Sequence, residues 1–527
     1  MGRFLNKGNR KFAEFAKTKY FVDKTALINQ LLEKDITEKF ICLSRPRRFG
    51  KSVTADMLVA YFSKGADSRN LFEPLCCVKD ELFLESLNRF DTIFIDIQAQ
   101  FEAAHERNEN PIQRIRTCVV KELHQEYPEI VSQDDILADA LAKIYEGTGS
   151  QSVIIFDEWD YPVREPENSL ELAGYIEFLR GLFKNSDAKE YVRLAFLTGI
   201  LPMIRAKGQS AINNFTEYTM IHPGDLSACT GFTEQEVRIL CEKSGAGFAQ
   251  MKEWYNGYCL GGEAIYNPLS VIKAISSREF TQYWTETGTY GDIAGLINQN
   301  FDGLREAVLA MLAGNRIPIH VSDGKNDLRT FVNKDEVITA LIHLGYFAYD
   351  KNTKEAYVPD KEIQNVFYHY MENHKNDSLS QFLELSETFL KALLNREEQA
   401  AAALIQDIHN DFVSSIAYND ENSLACTVIT ALISSFSYYH KPVREFPCGK
   451  GFADIVCLPL PEHKSLPVLI IELKWDKSAQ AAIAQIKKRQ YPQSLKGYAG
   501  EILLAGIDYD RKTKEHRCAI ELFTESS

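Results

Sequence analysis

Lys51 and Ser52 close the stretch Ser44-Arg-Pro-Arg-Arg-Phe-Gly-Lys-Ser52, and they are residue types that hold nucleotide phosphates. A loop wrapped around a helix N-terminus cradles phosphate with backbone N–H groups, and the helix dipole adds to the attraction. Lys51 would reach the β- and γ-phosphates, and the Ser52 hydroxyl would ligate Mg2+. Gly50 lets the backbone approach closely, and Arg47, Arg48, Phe49 and Val53 complete the candidate ATP-binding loop. The front end is unusual. Gly-x-x-x-x-Gly-Lys-[Ser/Thr] asks for glycine at position 45, where this chain has arginine. Pro46 removes an N–H donor as well, so arginine side chains are candidates to supply what the backbone lacks. The bland alternative is a basic loop that ends by chance in Gly-Lys-Ser. Two later stretches weigh against it. Val153-Ile-Ile-Phe-Asp-Glu158 runs apolar residues into Asp157, placed for magnesium, and Glu158, placed to activate water. Buried strands also end in acids for solubility, so Asp157 by itself decides little. The third stretch, Val192–Gly199, ends in Thr198, positioned to sense the γ-phosphate.

A second constellation lies near the C-terminus, where Asp454 on one predicted strand faces Glu472-Leu-Lys474 on the next. Strand alternation puts Glu472 and Lys474 on one face and Leu473 on the other. Carboxylates converging from adjacent strands can hold Mg2+, which polarises phosphate and lowers the pKa of a bound water. Lys474 would orient or deprotonate that water. Asp187-Ala-Lys189 fits the same triplet but sits in a polar stretch. The alternative for the C-terminal set is a hairpin carrying a surface ion pair.

These residues need particular elements to position them. Lys39–Ser44 reads as a strand entering the loop and Lys51–Ser63 as the helix leaving it. Buried strands are expected at 91–97, 152–158 and 192–199, with helical spacing over Leu170–Phe183. Strands alternating with helices imply a parallel sheet covered on both faces. From 276 the pattern turns mostly helical, with one hairpin over 345–359. After 441 it reads as three strands, a helix over 477–490 and two more strands. Leu424–Tyr439 is the most apolar long segment, but too short and too rich in Ser and Thr to span a bilayer. A buried core helix is expected there, and no membrane association. No N-terminal signal pattern is apparent. Eleven cysteines without metal-ligand spacing suggest reduced thiols and a cytoplasmic protein. The net charge of −14 excludes a chain that coats nucleic acid over its whole surface. Residues 441–527 hold 14 Lys and Arg against 11 Asp and Glu, leaving room for a local basic face.

The stretches at 20–25 (Tyr-Phe-Val-Asp-Lys-Thr), 44–52, 156–162, 196–204, 213–220, 254–258 and 266–270 together resemble the bacterial predicted AAA-ATPase-like family. The resemblance implies that Arg-Pro-Arg-Arg-Phe-Gly-Lys-Ser is that family's own form of the phosphate loop. By family position it brings Asp23, Lys24 and Thr25 near the nucleotide, although a plain helix N-cap reads "Val-Asp-Lys-Thr" equally well. Arg205 and Lys207 are arginine-finger candidates against solvated surface charge. Residues from about 425 to 527 are similar to the PD-(D/E)XK nuclease superfamily. That similarity adds Glu445 and Gln485 as neighbours of the catalytic set Asp454, Glu472 and Lys474. The superfamily's usual Gly-Arg-x-Asp reads Gly451-Phe-Ala-Asp454 here, which puts contacts to the substrate strand in doubt. Lys487, Lys488 and Arg489 are candidate phosphate contacts or simply a solvated helix face.

The expectation is therefore an α/β multidomain chain. A P-loop NTPase domain with a RecA-like sheet would occupy 1–275, and a mostly helical, winged-helix-like connector 276–390. A PD-(D/E)XK-type nuclease domain would occupy 391–527. ATP and Mg2+ are the expected cofactors and nucleic acid, DNA by resemblance, the expected partner; self-association into a homo-oligomer stays open. ATP turnover would gate or move the nuclease. The rival reading is an NTP-switched regulatory ATPase whose tail binds nucleic acid or a partner without cutting.

Overall fold

The computed structural model describes residues 2–524 except 78, 80, 166–168, 204, 207, 208, 211, 213, 285–296, 298, 299, 322–330, 332, 374–376, 413–419 and 496–499. Lys207 therefore lies outside the described residues. The chain divides into two compact units, residues 1–285 with 318–363, and residues 286–317 with 364–527.

The first unit is built on strands β1 (Phe40–Ser44), β2 (Asp91–Asp96), β3 (Ser152–Asp157), β4 (Val192–Gly199) and β5 (Thr216–Tyr218). All four pairings are parallel, in the spatial order β2-β3-β4-β1-β5. This order sets β4 between the loop-bearing β1 and the acid-bearing β3. Alternation divides each strand between two cores. Phe40, Cys42, Ile93, Ile95, Ile154, Phe156, Ala195 and Leu197 face one side. They pack on α2 (Pro111–Glu126), α3 (Leu137–Thr148) and α4 (Ser169–Phe183) through Ile115, Val119, Ile144, Phe178 and Leu182. Ile41, Leu43, Phe94, Val153, Ile155 and Phe196 face the other side, against Ala55, Leu58, Val59 and Phe62 of α1 (Lys51–Phe62) and Ile28 and Leu31 of Ala26–Leu32. The strands are buried on both faces, which is why they read as continuous apolar runs rather than alternating ones.

Residues 232–277 form a small appendage that the sequence pattern did not single out. Strands 232–233, 256–260 and 263–266 make an antiparallel sheet, flanked by helices Glu234–Ser244, Phe248–Tyr255 and Pro268–Ser277. Helix Lys334–Leu344 is followed by a hairpin of Ala348–Asp350 with Glu355–Tyr357 and by helix Lys361–Asn373.

The second unit carries strands β6 (Val443–Cys448), β7 (Gly451–Cys457), β8 (Val468–Trp475), β9 (Ile502–Asp510) and β10 (Glu515–Leu522), paired in chain order. Only β8 and β9 are parallel, joined by the crossover helix α5 (Ala479–Lys488). Helix α5 buries Ala479, Ala482, Ile483 and Ile486, one face at helical spacing, on Val468, Ile470, Ile502 and Leu504. Gly506 makes this approach possible: a Cβ there would stand 2.2 Å from the Ala479 carbonyl oxygen. Helix Glu398–Phe412 is tied to β10, where the Ile520 N–H donates to Glu398 Oε1 at 2.8 Å. The segment expected as one core helix to Tyr439 instead stops at Ala431 and continues as a 3-10 turn over Ile433–Ser437. Ser386 accounts for the break: its hydroxyl donates to the Ala431 carbonyl at 2.7 Å and accepts the Ser434 N–H at 3.0 Å. The segment is nonetheless buried, and no helix of the described residues is long and apolar enough to cross a membrane.

Candidate functional site

The loop between β1 and helix Lys51–Phe62 is pinned at several points. Gly50 caps the helix with φ +88°, and Arg48 also takes a left-handed φ of +69°. The Phe49 ring is fully buried, edge-on to Tyr258 at 5.3 Å between centroids, and its carbonyl accepts the Gly231 N–H at 2.8 Å. The aromatic stretch around Tyr258 thus packs against the loop. Of Phe49, only the backbone is left to meet a ligand. Arg47 is half-buried and Arg48 exposed. Burial, then the neighbouring Arg164, lower the Arg47 pKa. Arg45 is fully buried: its guanidinium donates to the carbonyls of Ser44 and Tyr218 at 2.9 Å and of Leu226 at 3.1 Å, while its Nε has no partner among the described residues. The Lys51 ammonium is buried and donates to the Pro46 carbonyl at 3.0 Å. Burial lowers its pKa against the opposing pull of Glu158, Asp157 and Asp160.

Asp157 is buried at the end of β3, within hydrogen-bond reach of the Ser52 hydroxyl. Burial pushes its pKa up to about 6, with Glu158 and Asp96 adding and Ser52 and Lys51 opposing. Desolvating a carboxylate disfavours its charged form, and a bound cation restores it. Thr198 is paired in register with both Asp157 and Leu43, and its buried hydroxyl has no hydrogen-bond partner among the described residues. Lys51, Ser52, Asp157 and Thr198 are therefore brought together around an unsatisfied polar spot. Glu158 follows in a left-handed conformation, φ +51°, and its Oε2 accepts from Arg164 Nη2 at 2.6 Å. Val53 is half-buried in the helix's first turn.

Asp23 and Lys24 are engaged elsewhere. Asp23 accepts the Thr25 N–H at 2.9 Å and the Thr25 hydroxyl at 2.7 Å through Oδ1, and the Cys76 N–H through Oδ2. Lys24 Nζ donates to Glu236 Oε2 at 2.7 Å and to the Ala228 carbonyl at 2.9 Å. Arg205 lies in a short strand paired with 209–210. Sequence reasoning missed Arg164 and Asp160. The signal was present in Asp-Glu-Trp-Asp-Tyr-Pro-Val-Arg164, where an acid and a base four apart share one helical face.

In the second unit the ladder between β7 and β8 pairs Ile455 with Ile471 and then ends. One step further Asp454 stands opposite Glu472, and its Oδ2 accepts the Leu473 N–H at 2.7 Å in place of a ladder carbonyl. Glu472 is fully buried, and its Oε1 accepts from Lys474 Nζ at 3.2 Å and from Gln485 Nε2 on α5. Its Oε2 is buried with no partner among the described residues. Lys474 also donates to the Leu473 carbonyl at 2.7 Å. Burial, reinforced by Asp454, pushes the Glu472 pKa up to about 7; burial also raises Asp454. Glu445, exposed at φ +48° opposite Asp454 on β6, adds a smaller upward push on Asp454. No three His, Cys, Asp or Glu side chains converge as a ready metal cluster among the described residues. Two carboxylates with an orphaned oxygen suit Mg2+, which keeps several of its own waters. Lys487 pairs with Glu521, while Lys488 and Arg489 are exposed beside it.

Residues 7–207 match the family described as Predicted AAA-ATPase, and residues 419–517 match the PD-(D/E)XK nuclease superfamily. A curated relative, the "Uncharacterized protein in vnfD 5'region" of Azotobacter chroococcum mcd 1, is 30% identical over 308 residues, 55% of each chain. The chain thus spans about half the length of that relative. Among solved structures, Aeropyrum pernix ORC2 in its ADPNP–ADP complexes aligns at 12% identity and a TM-score of 0.28, covering 70% of this chain and all of that one. ORC1 of the same organism, in complex with DNA, aligns at 13% and 0.21, covering 68% and 90%.

Proposed function

We propose that this chain, an AAA-ATPase-like domain followed by a PD-(D/E)XK nuclease superfamily domain, hydrolyses ATP and uses that turnover to control Mg2+-dependent cleavage of DNA. The observation that carries the reading occurs once in each domain. Asp157, at about 6 at the end of β3, and Glu472, at about 7 within β8, are buried carboxylates beside a lysine and an unpartnered polar atom. Such carboxylates are costly unless a cation joins them. Ser52 and Asp157 would hold the metal of the nucleotide, and Asp454 and Glu472 that of the nuclease. There Mg2+ would supply Lewis-acid stabilisation of phosphate charge and a more acidic water.

The chain's own residues divide the remaining work. Lys51 neutralises the outer phosphates, with the loop N–H groups around Gly50. Arg47 and Arg48 flank the entrance. Glu158 takes the proton of a water whose oxygen bonds the γ-phosphorus, while the bond to ADP breaks and ADP leaves with the electron pair. Thr198 reads the γ-phosphate with its unused hydroxyl. In the second site Lys474 orients the attacking water, and Gln485 fixes Glu472 through its amide. ATP and DNA share the cytoplasm as the natural place of action.

The test incubates the full chain with plasmid and linear DNA and Mg2+, with and without ATP, beside Lys51→Ala and Glu472→Ala. Glu472→Ala should abolish cleavage and spare ATP hydrolysis. Lys51→Ala should abolish hydrolysis and uncouple cleavage from ATP. Equal silence of wild type and Glu472→Ala on every DNA tried would sink the nuclease half.

A further inference from the structure

Arg164 reaches two acids with two different nitrogens. Its Nε donates to Asp160 Oδ2 at 3.0 Å and its Nη2 to Glu158 Oε2 at 2.6 Å, and its side chain is only 3% exposed. Asp160 does not depend on the arginine alone. Its Oδ2 also accepts the N–H groups of Ile200 at 3.1 Å and Leu201 at 2.8 Å, directly after β4. The turn that carries both acids is bound to the same strand end, since the Trp159 N–H donates to the Thr198 carbonyl at 3.1 Å. Gly199 leaves no slack: a Cβ there would lie 2.4 Å from Asp160 Oδ1 and 2.8 Å from the Trp159 ring. The Nε arm thus belongs to a rigid block made of the ends of β3 and β4. The Nη2 arm reaches out of that block to the partly exposed Glu158 carboxylate. Arg47 and Lys51, the other cations facing these acids, lie in the phosphate loop.

We infer that Arg164 is a positioning residue that restrains Glu158, so that the Glu158–Arg164 pair must open before Glu158 can accept the proton of the attacking water. The inference rests on the ATPase reading above and adds its regulation. A carboxylate oxygen in a short charge-assisted bond has committed a lone pair and its orientation to the guanidinium. Opening that bond is a step in every turnover. Because the other arm is anchored to the end of β4, beside Thr198, displacement of the sensor strand moves the restraint as well.

Lysine discriminates the two arms, because a single ammonium can hold Asp160 without also spanning to Glu158. Steady-state ATP hydrolysis by the full chain is measured for wild type, Arg164→Lys and Arg164→Met, each with and without Glu158→Gln. ATP affinity and the thermal midpoint are recorded alongside. Arg164→Lys should raise kcat by roughly three- to tenfold, with KM and ATP affinity within about twofold. Arg164→Met should raise it too if it folds, and Glu158→Gln should erase both gains. A faster enzyme with unchanged binding cannot come from structural damage. An active wild type with Arg164→Lys equal or slower overturns the inference alone. Wild type that binds ATP without turning it over overturns the ATPase reading together with the inference.

Discussion

Replacing Glu472 with glutamine should stabilise the metal-free protein, although it removes the centre of the candidate nuclease site. The Glu472 carboxyl is held at about 7, against an ordinary value of 4.5. That difference, near 2.5 units, is worth about 3 kcal/mol. The sign follows from proton counting. Below about pH 4 both folded and unfolded chains hold the proton. Between there and about 7 the unfolded chain has lost it while the folded chain keeps it, so stability falls as pH rises. Above about 7 the full penalty persists. The carboxyl stands that high despite the attraction of Lys474, so an uncharged isostere is compared with protonated glutamate on equal terms. Glutamine can still accept from Lys474 and Gln485 through its oxygen. Its amide N–H groups would sit where Oε2 now lacks a partner, which costs about 1–2 kcal/mol. The net gain expected at pH 8 is about 1–2 kcal/mol, shrinking to nothing or reversing at pH 5. Thermal denaturation of the full chain in EDTA at both pH values measures it, as a shift of a few degrees. Mg2+ should then stabilise wild type more than Glu472→Gln. A variant less stable than wild type at pH 8 in EDTA would refute the reasoning, because Glu472 would then be stabilised as an anion by the protein itself.

Three further perturbations separate the parts of the nucleotide site. Lys51→Met removes the buried cation facing Asp157, Glu158 and Asp160; ATP affinity by titration calorimetry should fall at least about tenfold while the fold survives. The Asp157 carboxyl, raised to about 6, must ionise to attract Mg2+. The Mg2+ concentration needed for half-maximal ATP hydrolysis should therefore rise about tenfold per pH unit below 6, and Asp157→Asn should remove that limb with the activity. Gly199→Ala drives a methyl to 2.4 Å from Asp160 and 2.8 Å from Trp159; chemical denaturation should register a loss of about 1–3 kcal/mol, with ATP hydrolysis reduced beyond what unfolding explains.

The strands were legible because burial on both faces leaves no polar alternation to confuse their limits: Ser152–Asp157 ends in the structure where the apolar run Val153–Phe156 meets its acid. The acids at their ends were legible for the same reason, since a charge that closes an apolar run marks the point where the strand leaves the core. Contacts made by side chains across long sequence separations were not. Nothing in Asp23-Lys24-Thr25 reveals that its charges would be taken by Cys76 and Glu236. Nothing in Ser386 announces that its hydroxyl would end a helix 45 residues later. Glu472 was readable as an acid from alternation, but its elevation to about 7 depends on burial and on Asp454. The small sheet over 232–266 was missed because its strands are short and its residues aromatic and glycine-rich, which reads as loop.

The arginine at position 45 shows how a phosphate loop can do without its first glycine. Glycine at that place gives a loop freedom to fold around phosphate. Arg45 supplies a strut instead. Its side chain runs into the protein and gathers three carbonyl oxygens, from Ser44, from Tyr218 at the edge strand β5, and from Leu226. No carboxylate pairs with it among the described residues, so dipoles alone offset a fully buried positive charge. Such a charge is tolerable only where every acceptor is fixed, which makes the front of the loop rigid. The back of the loop is held separately, by Gly231 on the Phe49 carbonyl and by the Phe49 ring on Tyr258. Between these anchors lie Arg47 and Arg48, and directly after them Gly50 and Lys51, the residues a phosphate would meet. If rigidity is what Arg45 contributes, Arg45→Lys, which can reach fewer of the three carbonyls, should weaken ATP binding while leaving Lys51 and Asp157 chemically intact. If the buried charge itself attracts the phosphates, lysine should preserve affinity. Of the two, the geometry favours rigidity, because both terminal nitrogens of the buried guanidinium donate to backbone oxygens.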